Sequence, residues 1–165
     1  MDCSVGLHGD SILAGQSLQG TLRTTPAAYL RAKRPRWVVE DHARAGQTAQ
    51  QAAAAFRPAT RVVVLEHGTN DLALGLPLDP PLRLMVGRAA GRQVVLTGLP
   101  FSQHAAWETY AQVPRQLAQE FRTGYAGWDE VRVPTVDGTH PDQTGSDRLA
   151  QLLLEAIDQL IPECR

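Results

Sequence analysis

The order of apolar and helical segments predicts a three-layer α/β/α sandwich on a parallel, five-stranded sheet. Short runs rich in β-branched residues occur at 3–7, 37–39, 61–65, 93–97 and 130–133. Each is almost continuously apolar, as a strand covered on both faces must be. Helical segments separate them, and no linker, repeat or low-complexity tract breaks the alternation, so residues 1–165 are expected to form one domain.

The elements follow in order. After the first run, Thr25 and Pro26 read as the N-cap and first-turn proline of a helix over 27–33. The second run leads to Thr48, which with Gln51 fits a capping box: a threonine oxygen satisfies one orphan amide while the glutamine reaches back. An alanine-rich helix to Phe56 follows. Beyond the third run, Asp79 and Pro80 repeat the cap-and-proline pattern ahead of a helix over 82–90, which Gly91 ends. The fourth and fifth runs precede the last helix, where Leu149, Leu152, Leu153, Ala156, Ile157, Leu160 and Ile161 recur at the spacing of one buried stripe until Pro162 stops it.

Composition narrows the function classes. The chain has 16 Lys+Arg against 17 Asp+Glu, a net charge of −1, and is 43% hydrophobic and 20% charged. That balance suits a globular core and offers no field for a polyanion, so nucleic acid is not an expected partner. The basic stretch Arg31 to Arg36 lacks the aromatic platform of a nucleic-acid groove and reads as a solvated helix end. No apolar run approaches the ~18 residues of a membrane span. The first residues lack the basic and apolar regions of a secretory signal, so a cytoplasmic location is expected, although an exported mature form fits equally. Cys3 and Cys164 match no metal or redox spacing. They read either as two separate thiols or, since the first strand starts and the last helix ends at the same side of a parallel sheet, as a terminal staple.

In parallel sheets, function collects in the loops at the carboxyl ends of the strands. Those loops here carry Gly9-Asp10-Ser11, Gly46, Gly68-Thr69-Asn70-Asp71 and Asp137-Gly138-Thr139-His140-Pro141. A serine needs a base within hydrogen-bond reach, and the base needs a third group to orient it. Ser11, His140 and Asp137 are of those types. The three-residue step from Asp137 to His140 lets the carboxylate hold one imidazole nitrogen and leave the other for the serine. Acyl transfer also needs donors for the oxyanion, which the Ser11 N–H, the Gly46 N–H and the Asn70 amide can supply. Asn70 is the only asparagine in the chain, and an aspartate at that point would repel the developing charge.

These blocks, in this order and approximate spacing over most of the chain, resemble those of the SGNH (GDSL-type) hydrolases. The resemblance implies a flavodoxin-like sheet, Ser11 as nucleophile, His140 as base, Asp137 as its partner, an oxyanion hole of Ser11, Gly46 and Asn70, and no metal or organic cofactor. The Gly-x-Ser-x-Gly elbow of another hydrolase fold is absent. Asp10 and Asp71 read as supporting residues that shape the turns carrying Ser11 and Asn70. His8 and His67 lack a third ligand at metal spacing and read as strand ends. Phe101, His104, Trp107 and Tyr110 follow the fourth strand, where a substrate pocket could form.

The expected activity is hydrolysis of short-chain acyl or O-acetyl esters through an acyl-enzyme, on a small-molecule or carbohydrate substrate. Two alternatives stand beside it: a non-catalytic binding module on the same fold, and an acyltransferase using the same three residues.

Overall fold

A computed structural model describes residues 1–165. In chain order the elements are β1 (Ser4–Gly9), α1 (Ser11–Ala14), a small hairpin β2 (Gln16–Ser17) and β3 (Gly20–Thr21), α2 (Pro26–Lys33), β4 (Val38–Asp41), α3 (Ala49–Ala55), β5 (Val62–Glu66), α4 (Thr69–Leu74), α5 (Asp79–Arg88), β6 (Gln93–Thr97), α6 (Trp107–Phe121), β7 (Gly124–Ala126) and α7 (Gln143–Leu160). The main sheet is five-stranded in the order β4-β1-β5-β6-β7, with every pairing parallel. This is the flavodoxin-like order, whose direction reverses between β1 and β5 and leaves a crevice outside their carboxyl ends.

Alternation along the strands divides the core. Val62 and Val64 of β5 and Val95 of β6 join Val5, Leu7, Leu30, Leu149, Leu153 and Ile157 on the face covered by α2 and α7. Val63, Leu65, Val94 and Leu96 point to the other face, where Ala52, Phe56, Leu82, Met85 and Leu117 bring in α3, α5 and α6. All five residues of β5 are buried, as a central strand sandwiched between helix layers requires.

Local chemistry sets the helix starts. Thr25 Oγ1 accepts from the Ala28 amide at 3.2 Å, and the capping box at Thr48 and Gln51 is complete in both directions. Asp142 caps α7 through the Gly145 amide at 2.8 Å.

Two expectations are corrected. The fifth strand is Gly124–Ala126, not 130–133. At β7 the sheet is crossed so closely by α7 that a Cβ on Gly124 would come within 3.1 Å of Leu160 and 3.2 Å of Val95, so a poor strand former is required there. Val131 and Val133 instead follow a 3₁₀ turn (Trp128–Glu130), unpaired, and pack partly buried against the first core cluster. Asp79 is not an N-cap: Leu78 holds that position without a side-chain bond, and the Asp79 carboxylate is engaged by Arg83 Nε at 3.0 Å one turn on.

At the amino ends of the strands, Cys3 and Cys164 are joined by a disulfide. Arg61 reinforces the junction, donating to the Asp2 carbonyl at 2.9 Å and pairing with Glu163.

Candidate active site

The sequence after β1 turns sharply because Asp10 caps a helix of a single turn. Its Oδ1 accepts from the Ile12 amide at 2.9 Å, and Gly15 ends the turn with φ of 72°. Ser11 is the first residue of that turn, buried to 8% exposure at the crevice between β1 and β5. From the far end of the chain, the loop before α7 brings His140 to it: Ser11 Oγ and His140 Nε2 are 2.9 Å apart. His140 Nδ1 lies 2.7 Å from Asp137 Oδ2, while Asp137 Oδ1 accepts from the His140 and Thr139 amides at 2.7 and 3.0 Å. Desolvation raises the Asp137 carboxyl, but these hydrogen bonds outweigh it and hold it below the usual carboxylate range. With Asp137 fixing Nδ1 as the protonated nitrogen, Nε2 faces the serine as an acceptor.

The three expected donors lie on the loops flanking this pair. Neither the Ser11 nor the Gly46 amide has a backbone acceptor. Gly46 is exposed with φ of 77° and nothing within 4 Å of a built Cβ, so its backbone conformation rather than crowding calls for glycine. Asn70 Nδ2 donates one proton to the Gln47 carbonyl at 3.0 Å, which leaves its second N–H for another acceptor.

The two supporting aspartates act differently: Asp10 caps the turn that carries Ser11, whereas Asp71 reaches beyond its own turn. Asp71, fully buried, accepts from the Ala49 amide with both oxygens at 3.0 and 3.2 Å, tying the start of α3, and so the Gly46 loop, to the Asn70 helix. Desolvation pushes its carboxyl up.

Three participants were missed by the sequence. Glu66, the last residue of β5, is fully buried, and its Oε1 accepts from the Asp10 and Leu13 amides, both at 3.1 Å. It grips α1 from below. Asp10 Oδ2 and Glu66 Oε2 are both buried without a hydrogen-bond donor. Burial raises both carboxyls, Glu66 well above the usual range because Asp10 also repels its charge and accepts its hydrogen bond. A proton held between Glu66 and Asp10 would supply the donor that both oxygens lack. The signal in the sequence was an acid directly after Val62-Val63-Val64-Leu65, a place where a strand should still be covered.

The other two are Gln47 and His67. His67 is buried, and desolvation lowers its pKa to about 3, so the ring is neutral. Its Nε2 donates to Gln47 Oε1 at 3.1 Å, and the Gln47 carbonyl is the acceptor for Asn70. His8 is not near this role; it stacks on His42 with ring centroids 4.9 Å apart and meets Phe56 edge-on.

A cleft of about 260 Å³ opens over Ser11, His140 and Asn70, walled by Ile12, Leu72 and Phe101. Of the aromatic group after β6, Phe101 and His104 line it. Trp107 is a prop: its Nε1 donates to the Pro100 carbonyl at 2.9 Å and its ring meets Phe101 edge-on. Tyr110 ties the neighbouring loop through the Leu76 carbonyl at 2.7 Å. No helix is long and apolar enough to cross a membrane.

The fold is similar to several solved structures. The TesA crystal structure superposes with a TM-score of 0.80 at 23% identity, covering 95% of this chain and 99% of that one. The acetyl xylan esterase Axe2 (W215I) from Geobacillus stearothermophilus gives 0.76 at 20% identity, covering 93% and 94%. The psychrotrophic esterase EstA from Pseudoalteromonas sp. gives 0.76 at 16%, covering 98% and 100%. At these identities the likeness is one of fold. No curated protein matches the chain by sequence. The model of the GDSL-like lipase/acylhydrolase family matches residues 7–156, and with the serine, histidine and aspartate of its motif blocks meeting at the carboxyl edge of the sheet, the chain belongs to that family, the SGNH hydrolases.

Proposed function

We propose that the protein is a serine esterase that removes short acyl groups, acetyl foremost, from an alcohol or carbohydrate through an acyl-enzyme. The observation that carries this reading is the relay from Asp137 through His140 to Ser11, with contacts of 2.7 and 2.9 Å. His140 Nε2 takes the Ser11 proton as Oγ attacks the ester carbonyl, and Asp137 stabilises the imidazolium. The Ser11 and Gly46 amides and Asn70 Nδ2 receive the oxyanion; such donors are typically worth ~3 kcal/mol each in kcat. His140 then gives its proton to the departing alkoxide, and a water repeats the sequence on the acyl-enzyme. The small cleft over Ser11, closed by Leu72 and Phe101, favours a short acyl chain. The acetyl xylan esterase among the structural relatives favours a carbohydrate acetate.

Hydrolysis of p-nitrophenyl acetate, butyrate and octanoate by the wild type and Ser11→Ala tests this. Turnover that falls with chain length and disappears in the variant is expected; equal rates for the two proteins would overturn it and leave the binding-module alternative. Product analysis with added acceptor alcohols distinguishes hydrolysis from acyl transfer. The Cys3–Cys164 bridge favours an oxidising compartment over the cytoplasmic expectation. Thiol labelling of the denatured, unreduced protein from its native source checks this, with two free thiols the contrary result.

A further inference from the structure

Beside the cleft over Ser11 lies a second, larger one of about 590 Å³, on the outer side of the Asp137-Gly138-Thr139 segment. The two are adjacent, sharing Pro100, Phe101, Ser102, His104 and Thr139 as walls. Its position defines its use. His140 delivers the proton to the leaving oxygen, so the alcohol departs on the side of the loop that carries His140, and that loop is the wall of the larger cleft.

Two charged side chains line the larger cleft, Arg132 and Asp137. Arg132 lines it, with the guanidinium carbon 3.8 Å from the Phe101 ring centroid and 5.4 Å from that of Trp107. Stacking on a propped aromatic ring orients the planar fork while leaving its edge open. Its only protein acceptors are the Asp129 and Val131 carbonyls, each at 3.4 Å from Nη1, and it takes part in no ion pair. The one carboxylate on the cleft wall, Asp137, has both oxygens engaged by its own loop. An oriented guanidinium with free donors and no ion-pair partner suits a carboxylate, which it can meet with two parallel hydrogen bonds.

We propose that this cleft receives the leaving alcohol and that Arg132 selects esters whose alcohol bears a carboxylate, such as a hydroxy acid or an acidic sugar. The inference rests on the serine esterase reading, and Phe101 links the two: it lines the acyl cleft and carries the Arg132 guanidinium on its face.

The test compares 3-acetoxybenzoate with its neutral analogue 3-acetoxybenzamide in the wild type, Arg132→Met and Arg132→Lys. The wild type is expected to favour the anion in kcat/KM by about tenfold or more, a preference that shrinks on raising ionic strength. Arg132→Met should reduce the preference to less than about twofold, and Arg132→Lys should retain part of it, as a point charge without the fork. Because both substrates are read on the same protein, a general loss of fold lowers both rates and leaves the ratio intact. No preference in the wild type, or one that survives in Arg132→Met, would overturn the proposal. Binding of the product 3-hydroxybenzoate, followed by NMR, reads the subsite without turnover: an inactive protein that still binds it through Arg132 sinks the esterase reading and keeps the anion site, whereas an active one that does not bind it does the reverse.

Discussion

The two edges of the sheet are held by opposite means. At the amino edge, Cys3 and Cys164 join the two ends of the chain, Arg61 clamps Asp2 and Glu163, and Arg34 pairs with Asp158. These are fastenings between distant parts of the sequence with no chemistry attached. At the carboxyl edge the fastenings are polar side chains within the site: buried Glu66 beneath α1, buried Asp71 on α3, and half-buried Gln47 between His67 and Asn70. Each positions a group that faces the substrate, and each carries a desolvation cost that an apolar side chain would not. The difference suggests that stability resides at one edge, where it interferes with nothing, and orientation at the other. Six substitutions, in five variants, sharpen or break that division.

The largest effect is expected at Ser11 and His140. Ser11→Ala and His140→Ala should each lower kcat by ~10⁴-fold or more, with thermal melting near that of the wild type. Comparable loss of melting temperature at this edge would blur the division. Next is the staple. Cys3→Ser with Cys164→Ser opens a loop spanning 161 residues of sequence separation, which loop-closure entropy values at about 5 kcal/mol. Denaturant unfolding should show a loss of that order, while kcat on p-nitrophenyl acetate stays unchanged at a temperature where the variant is folded. A drop in kcat there would show that the amino edge does reach the site.

Asn70→Ala is expected to cost ~3 kcal/mol in kcat with little change in KM, because the bond to the oxygen strengthens as charge develops. A rise in KM alone would instead make Asn70 a ground-state binder.

The smallest effect belongs to Glu66. Its carboxyl is raised in the folded protein, so that state keeps a proton the unfolded chain has lost. The associated stability is complete below the unfolded value near 4.5 and declines as pH rises toward the folded one, by at most ~1.4 kcal/mol per pH unit. Glu66→Gln supplies a permanent donor to Asp10 and keeps an acceptor for the Asp10 and Leu13 amides. Its melting temperature relative to the wild type should therefore climb between pH 5 and 8. The lowered pKa values of His8 and His67 give slopes of the opposite sign, which cancel in this difference. A constant offset across the range would mean the pair shares no proton.

The sequence made the central architecture legible because β1, β5 and β6 fall on almost continuously apolar runs, β4 starts in one, and the caps at Thr25 and Thr48 are local chemistry. What escaped it was decided by tertiary contact. β7 is chosen by the close approach of α7 to Gly124, against local propensity. α6 carries Pro114 in its interior, a residue that argues against a helix until the stripe of Ala111, Pro114, Leu117 and Ala118 is seen buried. In the site, Ser11, Asn70, Asp137 and His140 announce themselves through residue type and motif. Gln47 and His67 act only through neighbours from other loops, so nothing in their local sequence marks the part they play, whereas Glu66 has one local sign, an acid at the end of a covered strand.

The most direct test of Ser11 as an activated nucleophile is intact mass after treatment with a fluorophosphonate, followed by peptide mapping. A single adduct on Ser11, absent from Ser11→Ala and strongly slowed in His140→Ala, is the expected result. No adduct on the folded wild type, or one that forms equally fast without His140, would contradict the relay from Asp137 through His140 to Ser11.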